Sequence, residues 1–552
     1  MFIQPKFLSL TDLLSNRLFR IPQYQRSYSW ERKHRDDMFD DIRLVAKQSD
    51  RQHFMATVVG LHREKRPIIT DEYSVVEVVD GQQRLTTLIL LLKAIERSLD
   101  RDAPKQAKLA NEIQELLVKQ DDLSLILLQL NHDSSQYFAN YLRNGTKVSP
   151  IDATTLADRA LLNAIEECEI FVREWPDLIQ LTSIVKNRLM FIFHEINDEA
   201  TVYTVFEVLN SRGLPVPWVD RLKSMLMAIA FEHGGGNKIE IINELHGIWA
   251  GIYTTIGLRQ GMSTEALRFA ATLKSSNRPS RPLGEEDAVE SLVHTCGNDS
   301  KKAVSISNWL LEVAKAVDRL LETARRSKAV TRIAHARLLA IAIVLRQFPK
   351  EDEVRLLEIW EKISFRVFGL CRRDARTQVG GYVRLAWDCL NTKVSADHIV
   401  KSLEEVASEE KEHSINWAIE NIRDTNCYEG WEEELRYLMY RYEEDKAPHR
   451  YTNEQWYRIW QESASHSIEH IYPQDSAKPF VHNLGNLLLL PPGLNSKLQD
   501  RKPAKKIKEY RDTGLYIAKE VAETIEAEGW GRPQIKAREE KLLSWAKETW
   551  GG

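Results

Sequence analysis

The sequence predicts a mostly helical α+β chain, with an N-terminal α/β domain, a helical middle and a C-terminal domain mixing short strands with helices. Three observations predict it. Two β-branched runs, "HFMATVVGL" and "YSVVEVVDG", precede a helical repeat within the first hundred residues. From about 105 to 440 the apolar residues recur almost entirely at helical spacing. Short apolar runs then return at 467–472 and 486–490. A chain of 552 residues has room for two or three domains, each with its own core, and the boundaries are predicted at 1–228, 229–440 and 441–552.

In chain order, the first domain reads as strand, tight turn, helix. The second β-branched run closes on Asp80-Gly81, a turn signal, and Leu85, Leu88, Ile89, Leu92, Ile95 and Leu99 follow at helical spacing. The middle carries segments such as "LLEIWEKISFRVFGL", separated by polar or Gly-containing joints such as "EHGGGNK" and "SSNRPSRPLGEED"; the first joint is a candidate hinge. The last domain is expected to continue from its short strands into a basic helix, "KLQDRKPAKKIKEYR", and to close on the helix "IKAREEKLLSWAKETW".

Composition narrows the class. Apolar residues make up 43% and charged residues 28%, as in ordinary globular proteins. The longest apolar run, "LTTLILLL", is too short to cross a bilayer, and the N-terminus lacks an export signal, so a cytoplasmic protein without membrane contact is expected. Five scattered cysteines without a CxxC pair argue against a disulfide framework and against a thiolate zinc site. A net charge of −4 provides no global attraction to nucleic acid, which leaves local basic patches at 319–337 and 497–511.

The stretch "SIEHIYPQ", followed by "LGNLLLLPPGLNSK", has the residue types that phosphodiester hydrolysis needs. An imidazole can activate water, and oxygen ligands can hold a hard divalent cation. Alternation along a strand sends Glu469 and His470 to opposite sides, so that Glu469 with Asn495 can hold metal while His470 serves as base. The Asn486 amide can tie the intervening loop, since it both donates and accepts hydrogen bonds. His466 and His482 flank this site and are given no chemistry.

At the other end, "DGQQRLTTL" sets Asp80, Gly81, Gln82, Gln83, Arg84 and Thr86 at a helix start, where backbone N–H groups and the helix dipole favour phosphate. Arg84 can fork onto phosphate oxygens, and Asp80 can hold magnesium or water. The loop "IPQYQRSYSWE" concentrates Tyr24, Gln25, Arg26, Tyr28 and Trp30, a composition suited to stacking on a base and sensing a modified group.

These strings, together with "FEVLNSRGLPVPWVDRLKSML" and its Asn210, Arg212 and Asp220, resemble the GmrSD-type family of modification-dependent restriction enzymes. The resemblance covers both ends and this segment. It implies a ParB/sulfiredoxin-like domain that binds and hydrolyses GTP, ATP or UTP, and an HNH (ββα-metal) nuclease domain using Mg2+ or another divalent cation. It further implies an antiphage endonuclease acting on double-stranded DNA with sugar-modified cytosine or phosphorothioate-related marks. A toxin-like RNase and a DNA-binding protein without cleavage are the alternatives, and self-association is open.

Overall fold

The computed structural model describes residues 5–22, 25–47, 52–68, 71–119, 126–130, 135–147, 149, 153, 155–198, 217–257, 259–320, 330, 332–392, 394–408, 410–447, 459–460, 464–474, 478–498 and 501–551. The chain divides into two compact units. The first comprises residues 1–271 and 283–318; the second comprises 272–282 and 319–552.

The first unit is built on a six-stranded mixed sheet. Its strands are β1 (Lys6–Ser9), β2 (Arg17–Arg20), β3 (His53–Ile68), β4 (Asp71–Asp80), β5 (Leu128–Gln129) and β6 (Leu189–Ile196), in the spatial order β1-β6-β3-β4-β2-β5. The two β-branched runs form β3 and β4, which pair antiparallel, while β3 runs parallel to β6. At the end of β4 the chain turns at Gly81, with φ of 90°, directly into the helix Gln82–Ser98. A side chain there would be strained by that φ and would meet the Thr57 carbonyl at 3.1 Å, so glycine is required.

The run "LTTLILLL" lies in this helix, and every residue from Leu85 to Glu96 is buried. It is a core helix, enclosed by the helices Pro104–Leu117, Leu156–Arg173 and Leu178–Asn187. Among the described residues no helix is long and apolar enough to cross a membrane. All five cysteines are buried and free.

The helices of 229–440 are divided between the two units. The helix Trp218–His233 packs on Lys238–Ile256, Glu285–Cys296 and Ser300–Asp318 within the first unit. The joint "EHGGGNK" is a single 3-10 turn, Gly235–Asn237, between two helices of that unit; it is not a connection between units. The rest of the middle shares a core with the C-terminal hundred residues. There the buried carboxylate of Glu361 accepts hydrogen bonds from Tyr437 (2.7 Å), Arg441 and the Trp550 indole (3.1 Å). A buried charge must be paired. This one draws on Tyr437 from its own side of residue 441 and on Arg441 and Trp550 from the other.

In the second unit the helices Ala334–Arg346, Lys350–Ser364 and Val379–Asn391 pack together. A small antiparallel sheet, β7 (Ile468–His470) and β8 (Leu487–Leu489), lies among the last helices. The expected basic helix is broken into Pro492–Leu498, a 3-10 turn Pro503–Lys505 and Ile507–Asp512. The basic stretch 319–337 lies mostly outside the described residues. Towards the C-terminus the helix Arg532–Trp550 closes the fold, as its spacing predicts.

Burial of one histidine in the second unit predicts a loss of stability in acid. His335 donates from Nε2 to the Thr377 carbonyl at 3.0 Å, and burial pulls its pKa down to about 4, helped by Arg337 and opposed by the Thr377 contact. The unfolded chain, with a pKa of about 6.5, takes the proton first, so this contribution to stability falls as pH drops from about 6.5 to 4. Its size is up to about 3 kcal/mol. His335→Gln should flatten the loss of urea stability over that window; an unchanged slope would place the acid sensitivity elsewhere.

Candidate functional site

Two constellations emerge, one in each unit. In the second, β7 presents Glu469 and His470 on opposite faces, as strand alternation requires. Glu469 is 3% exposed, and its Oε1 accepts from Lys506 Nζ at 2.6 Å and Tyr510 Oη at 3.0 Å. Lys506 is fully buried and also donates to the main-chain oxygens of His470 and Ile471. Burial raises the Glu469 pKa; Lys506 and Tyr510 oppose the rise. Glu469, the expected metal ligand, is paired here with Lys506. A cation would have to compete with Lys506 for it.

Asn495, from the helix Pro492–Leu498, donates its Nδ2 to the Ile468 carbonyl at 2.8 Å and to that of His466 at 3.3 Å. Held this way, its Oδ1 accepts no hydrogen bond from the described residues. Among the described residues no group of three His, Cys, Asp or Glu side chains forms a metal cluster. Magnesium commonly takes one or two protein oxygens and completes its shell with water and phosphate. Asn495 thus has an oxygen that a cation could share with a substrate phosphate, while Glu469 could join it only by exchanging Lys506 for the ion.

Asn486 clamps the loop between the strands. Its Oδ1 accepts from Tyr472 N–H (2.8 Å) and the Trp530 indole (3.2 Å), while Nδ2 donates to the carbonyls of Tyr472 (3.0 Å) and Val481 (2.8 Å). These contacts use the full capacity of an amide, leaving none for substrate. His470 faces His482, with Nε2 and Nδ1 3.1 Å apart, and the Tyr428 ring packs against both imidazoles. Burial, with His482 and Lys506 nearby, lowers the His470 pKa to about 4, so the imidazole is neutral at neutral pH and able to take a proton. His482 drew no assignment from the sequence; its only signal there was proximity.

In the first unit, "DGQQR" and the aromatic loop are joined. Gln83 accepts from Ser29 N–H at 2.8 Å and donates to the Ser27 carbonyl at 3.1 Å, and Gln82 donates to the Arg26 carbonyl at 3.3 Å. Gln25 is buried, donating to the Val79 carbonyl, and Tyr28 is buried with its hydroxyl on Thr87 at 2.8 Å. Gln82 and Gln83 hold the loop backbone where nucleotide contacts were expected, Thr86 is buried, and Gln25 and Tyr28 are anchors where sensing was expected. Burial is the common cause: each of these polar groups must find a partner inside the protein.

Arg26 and Trp30 remain half-exposed and line a cleft of about 610 Å³ with Arg35, Arg159, Asp220 and Tyr253. Arg35 forks onto Glu167 at 2.7 and 2.8 Å. Asp220 accepts a short hydrogen bond from the Tyr253 hydroxyl. Asp80 accepts from Gly81 N–H at 2.8 Å. Burial raises the Asp80 pKa, opposed by Gly81 N–H, Arg84 and Arg26 and reinforced by Asp220, so these charges share one electrostatic neighbourhood. Lys223, one turn along the helix from Asp220, is buried there too, its pKa lowered by burial to about 8. Tyr253 and Lys223 were missed; Lys223 was legible only as i+3 from Asp220 on a helix. Tyr24, Asn210 and Arg212 lie outside the described residues.

Removing one partner of the buried pair tests its role. Glu469→Gln or Lys506→Met alone should cost about 3–5 kcal/mol of stability, because each leaves a buried charge unpaired. The double variant should recover most of it. Chemical denaturation of the three proteins decides this, and single variants as stable as the parent would show that the pair does not hold the site.

Comparison with known families places both regions. Residues 10–227 match the model described as GmrSD restriction endonuclease, N-terminal domain, and residues 413–545 match that described as GmrSD restriction endonucleases, C-terminal domain. A search of curated proteins finds none that matches the chain.

Proposed function

The chain belongs to the GmrSD restriction endonuclease family, and from that premise we propose that it cleaves modified foreign DNA at His470 under the control of a nucleoside triphosphate bound in the N-terminal cleft. The observation that carries the reading is that His470, the Asn486 clamp and Asn495 converge on one small sheet inside the region matched by the C-terminal model. His470, neutral at neutral pH, is suited to take the proton of a water attacking the phosphodiester. Asn495 Oδ1 would hold Mg2+ or another divalent cation together with the phosphate. When bound, such an ion neutralises charge on the phosphate and leaving oxygens.

In the cleft, Arg26 and Arg159 would face phosphate oxygens and Trp30 would supply a flat surface for a base. Asp80, Arg84 and Asp220 supply the remaining charges for a GTP, ATP or UTP, with Lys223 buried beside them. The volume lies in the range that small-molecule ligands fill. Control of cutting by the nucleotide, in the cytoplasm and on phage DNA bearing sugar-modified cytosine or phosphorothioate-related marks, completes the proposal. Linkage then requires that DNA and nucleotide alter each other's binding by the same factor.

The central experiment digests modified and unmodified phage DNA, with RNA as a control, in the presence and absence of Mg2+ and each nucleotide. His470→Ala should abolish DNA cutting and leave nucleotide turnover near normal; retained cutting removes the base. Asn495→Ala should raise the Mg2+ concentration needed for half-maximal cutting, and an unmoved titration excludes it as a ligand. Cleavage of RNA alone would replace the DNA reading.

The cleft has its own test. Arg26→Ala should weaken nucleotide binding about 10- to 100-fold, the value of one charge-assisted hydrogen bond. Calorimetric titration measures it. Binding unchanged in Arg26→Ala and in Arg159→Ala would move the nucleotide out of this cleft.

A further inference from the structure

We propose that His482 is a positioning residue that sets the tautomer of His470. On this reading it accepts the His470 Nε2–H on its own Nδ1, leaving the His470 Nδ1 lone pair to take the proton of water. The inference rests on the nuclease reading above and concerns a residue outside the motif that suggested it.

His470 Nε2 and His482 Nδ1 stand 3.1 Å apart, a hydrogen-bond distance. His482 is fixed independently of His470. Its main-chain oxygen accepts from Cys427 N–H at 2.8 Å, and the Tyr428 ring stacks on its imidazole at 5.6 Å and 12°. The same Tyr428 ring meets the His470 ring at 68°, with centroids 4.6 Å apart, so both imidazoles are oriented by one aromatic wall.

Two neutral imidazoles can share a hydrogen bond in only two ways. If His482 donates, the His470 Nε2 lone pair is taken up in accepting that hydrogen bond and the ring's own proton sits on Nδ1, so neither nitrogen is free to act as a base. If His470 donates, its Nδ1 bears the lone pair and His482 is the Nε2–H tautomer. Only the second arrangement permits general-base chemistry. In the reaction the water oxygen bonds to phosphorus, its proton passes to His470 Nδ1, the bond to the leaving sugar oxygen breaks, and that oxygen takes a proton from solvent. As His470 becomes cationic, its Nε2–H bond to His482 becomes charge-assisted and stronger, at the moment when charge develops. Histidines oriented through their second ring nitrogen are a recurrent device, and loss of the orienting partner typically costs about 10- to 100-fold in activity.

His482→Leu removes the acceptor and keeps an apolar body beneath Tyr428, whereas His482→Asn keeps an oxygen acceptor close to the place of Nδ1. The leucine variant should lose about 10- to 100-fold in kcat for DNA cutting with little change in KM. The asparagine variant should recover most of that loss. Independently of cutting, 15N NMR of histidine-labelled protein, with His470 identified through His470→Gln, should show Nε2 protonated and Nδ1 bare, becoming a tautomer mixture in His482→Leu. A protonated Nδ1 in the parent, full activity in the leucine variant, or an asparagine variant no better than leucine overturns the proposal. If the parent protein cuts no DNA, the nuclease reading fails, and the NMR experiment still decides the tautomer.

Discussion

A two-stranded sheet of three residues per strand cannot stand alone in water, and the C-terminal site depends on how that weakness is met. The fold meets it with long polar side chains that reach backbone carbonyls. Lys506 caps the end of β7, Asn495 takes the Ile468 carbonyl, and Arg538 donates to the carbonyls of Gly485 and Leu487 at 2.8 Å each. Gly485 lets this happen, because a β-carbon there would lie 1.9 Å from the Ile535 carbonyl of the closing helix. Removing that glycine would push the helix away and Arg538 with it.

The first unit solves a different problem by the same means. A loop without regular secondary structure has backbone groups to satisfy, and side-chain amides do it. Gln82 and Gln83 stand at the start of the core helix and bond to the loop 26–29 much as a neighbouring strand would, while Tyr28 pins its middle to Thr87. The helix start thus positions Arg26 and Trp30 over the cleft. In both units, side chains that look catalytic in the sequence are partly committed to holding backbone, and the groups left facing solvent are few.

Local pattern made part of this legible. The alternating β-branched runs, the Asp-Gly turn and the periodic leucines after it predicted β3, β4 and the helix Gln82–Ser98, because these depend on neighbours in sequence. Asn486 was readable as a loop tie since an amide has few other uses at that place. The pairing of Glu469 was not legible because its partner, Lys506, is 37 residues away in a stretch that looked like a solvated basic helix. Glu361 was not singled out, because its buried partners lie up to 189 residues along the chain. Long-range pairing of buried charge leaves no periodic trace.

The way the aromatic loop is anchored governs what substitutions in it can change. Gln82 and Gln83 grip main-chain atoms of residues 26, 27 and 29, and the inward-facing Gln25 and Tyr28 carry the remaining anchorage. Residues 26, 27 and 29 are half-exposed, while Trp30, also half-exposed, packs partly against the core. The side chains at 26, 27 and 29 can change without loosening the loop, because its anchorage there is through main-chain atoms. A substitution at Arg26 or Ser29 therefore changes the surface offered to the occupant of the cleft and leaves the scaffold that holds the loop intact.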